Sequence, residues 1–155
     1  VFGIEALLLD LNDPRKVIGK TDGPFLIPET YYDRTGQVSH TIFPSGALIR
    51  NEKLEIYYGA ADTHTAFATI PLKQFMKTIT GEYKKAIKRY PGNPIISPRP
   101  GLLWEQGGTL NPAAIDIDGK VHLLYRAATV SNQSTIGYAS SFDGLKIDER
   151  PDKPI

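Results

Sequence analysis

The chain has 155 residues, 41% of them hydrophobic and 23% charged, with 18 Lys and Arg against 17 Asp and Glu. That length supports one globular core rather than two, and a net charge of +1 without a basic block argues against nucleic acid or anionic lipid as partners. Cysteine is absent, which excludes a disulfide framework, a thiolate nucleophile and any Cys-ligated metal site.

Along the chain, Ile4–Leu9 is a short apolar run closed by Asp10, Asn12, Asp13 and Pro14, the pattern of a buried strand ended by turn residues. The stretch from Asp13 to Arg34 passes Gly19 and a Pro-, Gly- and Asp-rich loop with little periodicity. Two β-type runs between Gly46 and Gly59 flank Asn51-Glu52 and predict a tight hairpin, with Thr65–Ile70 as a third strand. Leu72, Phe75, Met76, Ile79, Tyr83 and Ile87 recur at spacings of three and four, predicting one amphipathic helix from Pro71 to Lys88. Pro71 suits its first turn, and Lys84, Lys85 and Lys88 suit its C-terminal dipole. A Pro-rich connector follows, with a short strand at Ile95–Ser97. Strands then return at Asn111–Ile117, Lys120–Ala127 and Ser134–Ser140, with a short piece at Leu145–Ile147 and a turn at Asp118-Gly119. No apolar run is long enough to span a membrane and no leader pattern opens the sequence, so a cytoplasmic setting is expected. Val1 and the segment Pro151–Ile155 read as cuts through something larger.

Sliding the chain against itself by 67 positions superimposes two hairpins. Ala47-Leu48 falls on Ala114-Ile115, Lys53-Leu54 on Lys120-Val121, Tyr58 on Tyr125, Ala60-Ala61 on Ala127-Ala128, and the turn Asn51-Glu52 on Asp118-Gly119. Small-residue strands follow each copy, at Ala66–Thr69 and Ile136–Ala139. Alternation and a turn are common to any β-sandwich, but the repeated Ala-Ala favours repetition. The expected fold class is therefore all-β: about two antiparallel four-stranded units of β-propeller type, joined by one amphipathic α-helix.

Several stretches resemble glycoside hydrolase family 130, the mannoside phosphorylases and related hydrolases built on a five-bladed β-propeller. Tyr90-Pro-Gly-Asn-Pro, Trp104-Glu105, Asn111-Pro-Ala-Ala, Leu124-Tyr-Arg126 and Ile136-Gly-Tyr-Ala are similar to that family's N-terminal portion. Leu8–Gly19, Phe43-Pro-Ser-Gly and Ile56-Tyr-Tyr-Gly-Ala-Ala-Asp62 are similar to its C-terminal portion. The resemblance implies a C-terminal-like blade at 1–70, a connecting helix at 71–90 and an N-terminal-like blade at 91–155, together one partial propeller domain. Open sheet edges imply self-association or pairing with other propeller blades.

By the same resemblance, Asp62, Asn111 and Arg126 bind the sugar, and they converge only if the two halves pack as adjacent blades. On residue chemistry alone Asn111 is a turn or strand-cap residue, Arg126 a surface ion-pair partner and Asp62 a turn-capping carboxylate. Phe43 and Trp104 are the aromatic residues suited to stacking on a pyranose. No catalytic residue is assigned. The family's general acid and phosphate-binding residues belong to blades outside these residues, and Asp13-Pro14-Arg15 shares only the letters of the acid motif. Asp116, Asp118, Asp143 and Asp148 sit in or beside turns and form no glycosidase carboxylate pair, while Glu105 anchors a blade edge. His40, His64 and His122 lack metal-ligand spacing, so no metal is expected. No cofactor is implied, with inorganic phosphate as co-substrate if the activity is phosphorolysis. Three functions follow from these residues: part of an enzyme acting on β-mannosides, a non-catalytic carbohydrate-binding module, or a structural propeller fragment.

Overall fold

A computed structural model describes residues 2–81 and 87–155. Strand β1 (Leu7–Leu9) pairs antiparallel with β2 (Val17–Lys20), and Asp10 Oδ1 closes the intervening turn by accepting the Asn12 and Asp13 N–H groups. A single-turn helix α1 (Tyr31–Arg34) leads into β3 (Ile42–Arg50), β4 (Lys53–Ala60) and β5 (His64–Pro71). Helix α2 (Leu72–Ile79) and β6 (Lys88–Arg89) follow, and β7 (Gly108–Ile117), β8 (Lys120–Ala128) and β9 (Ser134–Ser141) complete the described strands. The described sheets are antiparallel, in the orders β1-β2, β3-β4-β5-β6 and β7-β8-β9.

The repeat is a structural one. Asn51 and Glu52 both have positive φ, as do Asp118 and Gly119, so each hairpin closes through two left-handed residues that match the strand twist. The first strand of each copy breaks register at the same place, between Pro44 and Gly46 and between Leu110 and Ala113. Tyr58 pairs with Ala66 and Tyr125 with Gly137, which makes Ala66–Thr69 equivalent to Gly137–Ser140. The equivalence then runs further than the sequence offset reveals. Arg89 pairs with Ala68, and Glu149 bridges Ser140, so the next residue, Arg150, holds the corresponding place. Ile95 donates its N–H to Thr65 O and Ile155 donates to Ile136 O, each at 3.0 Å.

Both copies place a buried carboxylate, paired with this arginine, beside the tyrosine of their second strand. Asp33 is fully buried, accepts the Glu29 and Thr30 N–H groups and pairs with Arg89, which also lies beside Tyr58. Glu105, also fully buried, accepts the Tyr125 hydroxyl (2.8 Å) and pairs with Arg150 (2.9 Å) and Arg99. Burial pushes the Tyr125 hydroxyl up to about 12 even though Arg150 donates to it. Glu105 is satisfied on both oxygens, whereas Asp33 gathers its partners on Oδ2 and leaves Oδ1 without one; a buried carboxylate paired in this way is tolerated where an unpaired one is not.

The four-stranded sheet is sandwiched. Ile56, Tyr58, Ala60, Ala66 and Ala68 face Ile4, Phe25 and Leu26 of the N-terminal layer. Alternation sends Tyr57 and Phe67 to the opposite face, where they meet Val121, Leu123, Tyr125, Ala127 and Ala139 of the second sheet. Gly46 permits this approach, because a Cβ there would lie 2.7 Å from Ala114 N. Polar contacts cross the boundary as well: Thr65 Oγ1 donates to Thr109 O (3.0 Å), Thr109 N to Thr63 O (2.9 Å) and Tyr57 Oη to Gly144 O (3.1 Å).

Two sequence expectations need correction in detail. The predicted helix reached Lys88, but α2 ends at Ile79, followed by Gly81 at φ +83, a conformation that favours glycine and stops helices. Lys88 pairs with β5 instead; Tyr83, Lys84 and Lys85 lie outside the described residues. The inward stripe is carried by Phe75, whose ring centroid is 5.5 Å from that of Phe25, and by buried Ile79. Leu145–Ile147 is not a strand, because Asp143 Oδ1 captures the Leu145 and Lys146 N–H groups in a turn while Leu145 and Ile147 pack into the second core.

Candidate functional site

The boundary between the two sheets gathers most of the predicted site residues. Asn111 sits in the register break of β7 at φ 50, an exposed left-handed position that asparagine tolerates better than most residues. Across the boundary stands Gly59 of β4, where a Cβ would lie 3.3 Å from both the Asn111 N and Oδ1 atoms. Phe43 is the register partner of Gly59 and leaves 54% of its surface exposed. Phe43 and Asn111 thus flank the same glycine from two different sheets.

Asp62 lies in the turn after β4. Ala61 and Asp62 both have positive φ, and Thr63 N donates back to Ala60 O at 3.0 Å. The Asp62 carbonyl faces Gly108, where a Cβ would lie 3.3 Å from it. Gln37 reinforces this corner by donating its Nε2 to Gly107 O and its N–H to Thr63 Oγ1. Gln37 was missed from sequence because it lies in the stretch before β3, where no periodicity marks it.

Arg126 of β8 is paired in register with Leu110, one residue before Asn111. Its guanidinium is oriented by Ser134 Oγ (2.8 Å from Nε), at the start of β9, and by Asn132 Oδ1 (2.7 Å from Nη2), in the β8–β9 connection. Trp104 stands apart from this group, half-buried against the second core with its Nε1 donating to Asp152 O at 2.9 Å.

The remaining ionisable groups near the boundary are committed to structure. Arg50 pairs with Asp116 (3.2 Å) and Glu55 (3.3 Å) and donates to Asp143 O. Burial raises the Glu55 carboxyl above the usual range despite Arg50. His64 Nδ1 lies 3.2 Å from Ser97 Oγ, and burial lowers its pKa. His122 Nδ1 meets Tyr138 Oη at 2.8 Å on the far face of the second sheet, whereas His40 is exposed. Among the described residues, no group of three or more His, Asp or Glu side chains is arranged to hold a metal, and no helix is long and apolar enough to cross a membrane.

Comparison with known proteins adds sequence and fold relationships. A family model for glycoside hydrolase family 130, described as beta-1,4-mannooligosaccharide phosphorylase, matches residues 1–81. Beta-1,2-mannobiose phosphorylase of Thermoanaerobacter sp. (strain X514) is 43% identical over 70 residues, 45% of this chain and 23% of that protein. Beta-1,4-mannooligosaccharide phosphorylase of Ruminococcus albus is 34% identical over 74 residues, 45% of this chain and 22% of that protein. These matches therefore span less than a quarter of the relatives' own length. Among solved structures, a beta-xylosidase/alpha-arabinofuranosidase from a compost microbial metagenome superimposes with a TM-score of 0.53 at 20% identity, over 79% of this chain and 38% of that one. Fructan 1-exohydrolase IIa from Cichorium intybus gives a TM-score of 0.55 at 19% identity, over 78% of this chain and 22% of that one. At such identities the likeness is one of fold, that of β-propeller blades.

Proposed function

The chain belongs to glycoside hydrolase family 130, and from that premise we propose that it supplies the sugar-positioning part of a site for β-mannosides, with Asp62, Asn111 and Arg126 holding hydroxyls and Phe43 offering an aromatic face. The observation that carries this reading is the approach of Asn111 to Gly59, beside exposed Phe43. An exposed amide, with one carbonyl acceptor and two N–H donors beside an aromatic face, suits a sugar ring whose hydroxyls both donate and accept. Arg126 adds donors in a fork whose orientation Ser134 and Asn132 already hold.

In this reading 1–70 and 91–155 act as two blades joined through 71–90, working in the cytoplasm, and the acid that protonates the glycosidic oxygen is supplied by other blades. Attack by phosphate or water then proceeds with inversion. The buried carboxylates Asp33 and Glu105 favour sugar binding over bond cleavage by these residues alone, since both are tied to arginines. Titration calorimetry of the purified chain with mannobiose tests the proposal. Saturable binding that Asn111→Ala weakens supports it; absence of binding, or equal binding by the variant, overturns it. Release of mannose 1-phosphate by the 155-residue chain alone would replace it with a catalytic reading.

A further inference from the structure

Glycine follows aspartate at Asp22-Gly23, Asp118-Gly119 and Asp143-Gly144. This pair is chemically labile, because glycine lacks the Cβ that would crowd attack of its nitrogen on the preceding carboxyl. At two of the sites the fold opposes that attack. The Gly119 N–H is engaged with Asp116 Oδ1 at 2.9 Å, and the Gly144 N–H with Ser141 Oγ at 2.9 Å. Asp143 also accepts the Lys146 and Leu145 N–H groups, which hold its carboxyl below the usual carboxylate range and so away from the reactive protonated form. Asp22 is exposed in a loop, and among the described residues nothing accepts the Gly23 N–H and nothing pairs with the Asp22 carboxylate. Gly23 holds φ +80, and a Cβ there would meet nothing within 4 Å, so the fold leaves this pair room to react. We propose that Asp22-Gly23 is a site of spontaneous isomerisation to isoaspartate, and that the product loosens the N-terminal layer over the first sheet.

The step consumes and returns one water. The Gly23 nitrogen forms a bond to Cγ of the protonated Asp22 carboxyl, and the amide proton and the carboxyl hydroxyl leave together as water. Hydrolysis of the resulting succinimide at Cγ restores aspartate. Hydrolysis at the α-carbonyl instead leaves the chain running through Cγ, one methylene longer, with a free α-carboxylate as the branch. The lengthened span has no slack to absorb that atom. Thr21, only 3% exposed, donates its N–H to Ala6 O (3.0 Å) and accepts the Ala6 N–H on Oγ1 (3.1 Å), while Phe25 N donates to Ile4 O (2.9 Å). Both ends of the loop are thus pinned to the Ile4–Ala6 segment, and Phe25 and Leu26 beyond it pack on Ile56, Tyr58 and Ala60. One end must yield when the backbone lengthens. The inference stands independently of sugar binding.

Incubation of the 155-residue chain at neutral pH, followed by tryptic digestion and fragmentation mass spectrometry that separates isoaspartate from aspartate, tests the site. In the folded chain isoaspartate should accumulate at Asp22 about fivefold or more faster than at Asp118 and Asp143, because the latter two must first break their hydrogen bonds. In urea, where those bonds are lost, the three rates should converge. Equal rates in the folded chain, or slower reaction at Asp22, overturn the proposal. Asp22→Glu would require a six-membered ring and should abolish the product in the Thr21–Arg34 peptide; a product that persists there also overturns it. Hydrogen exchange on the isomerised chain reads the second half. The Thr21 and Phe25 amides should exchange about fivefold or more faster than in the unmodified chain, with Ser140 in the second sheet unchanged. Unaltered exchange at Thr21 and Phe25 would overturn the coupling to the N-terminal layer.

Discussion

A methyl group added to Gly59 would lie 3.3 Å from both the backbone nitrogen and the side-chain oxygen of Asn111. Gly59 is therefore the residue that lets the second sheet bring this amide to the boundary. Asn111 is exposed, so it can yield by a few tenths of an ångström, and Gly59→Ala should cost less than about 1 kcal/mol of stability. The same displacement turns the amide away from its position beside Phe43. Weaker mannobiose binding with a nearly unchanged urea midpoint is the expected result. Unfolding of the variant, or unaltered binding, would show that the approach does not position Asn111.

Arg50 joins the sheets electrostatically. It lies 3.2 Å from Asp116 in the second sheet and 3.3 Å from Glu55 in the first, with only 14% of its side chain exposed. Arg50→Ala strands Glu55, whose side chain is 9% exposed, and should destabilise by about 3 kcal/mol. Arg50→Lys restores charge but not the fork, so it should recover only part of that loss. Urea unfolding of the three proteins measures both steps.

Much of the fold was legible because the hairpins announce themselves locally. Asn51-Glu52 and Asp118-Gly119 each sit between alternating runs, and the shared Tyr and Ala-Ala fix the offset. The fourth strand was hidden for a physical reason: Lys88 and Arg89 belong to β6 through two register pairs with β5, and two residues carry no periodicity. Asn111, Asp62 and Arg126 were identifiable only through the resemblance, because their chemistry in isolation fits ordinary turns and ion pairs. The roles of Gly59 and Gln37 arise from contacts between segments distant in sequence, which local pattern does not encode.

His64 should make stability pH-dependent below neutrality. Burial lowers its pKa from 6.5, so the folded state prefers the neutral imidazole beside Ser97. The sign follows from linkage: this contribution is present above about pH 6.5 and is lost as pH falls through the lower folded value. His64→Gln keeps a polar partner for Ser97 and removes the titration. Between pH 7.5 and 5.5 the wild-type melting temperature should fall more steeply than that of the variant; parallel curves would exclude His64 as the titrating group.

Tyr125 holds the buried Glu105 from one side while Arg150 and Arg99 hold it from the other. Tyr125→Phe removes one donor to a fully buried carboxylate and should cost about 1–3 kcal/mol. Because Arg150 also donates to the Tyr125 hydroxyl, the loss should spread to the segment that follows it. Faster hydrogen exchange at Ser140 and Glu149, whose N–H groups bond across that segment, is the expected local signature. An equal rise in exchange across β3 and β4 would point instead to global destabilisation.

The hairpin turns predict a stabilising change. Glu52 holds φ 57 where its counterpart in the second copy is Gly119 at φ 80. A side chain in the left-handed region is strained, whereas glycine adopts it freely. The Glu52 carbonyl still accepts the Leu72 N–H after substitution, because that bond uses backbone alone. Glu52→Gly should therefore raise stability by about 0.5–1 kcal/mol, the strain relieved exceeding the added freedom of the unfolded chain. A control at Glu5, outside the hairpin, gains no such relief and should be neutral or destabilising on the same substitution. A lower melting temperature for Glu52→Gly would mean that the first turn is held by its side chain rather than by the strand twist it shares with Asp118-Gly119.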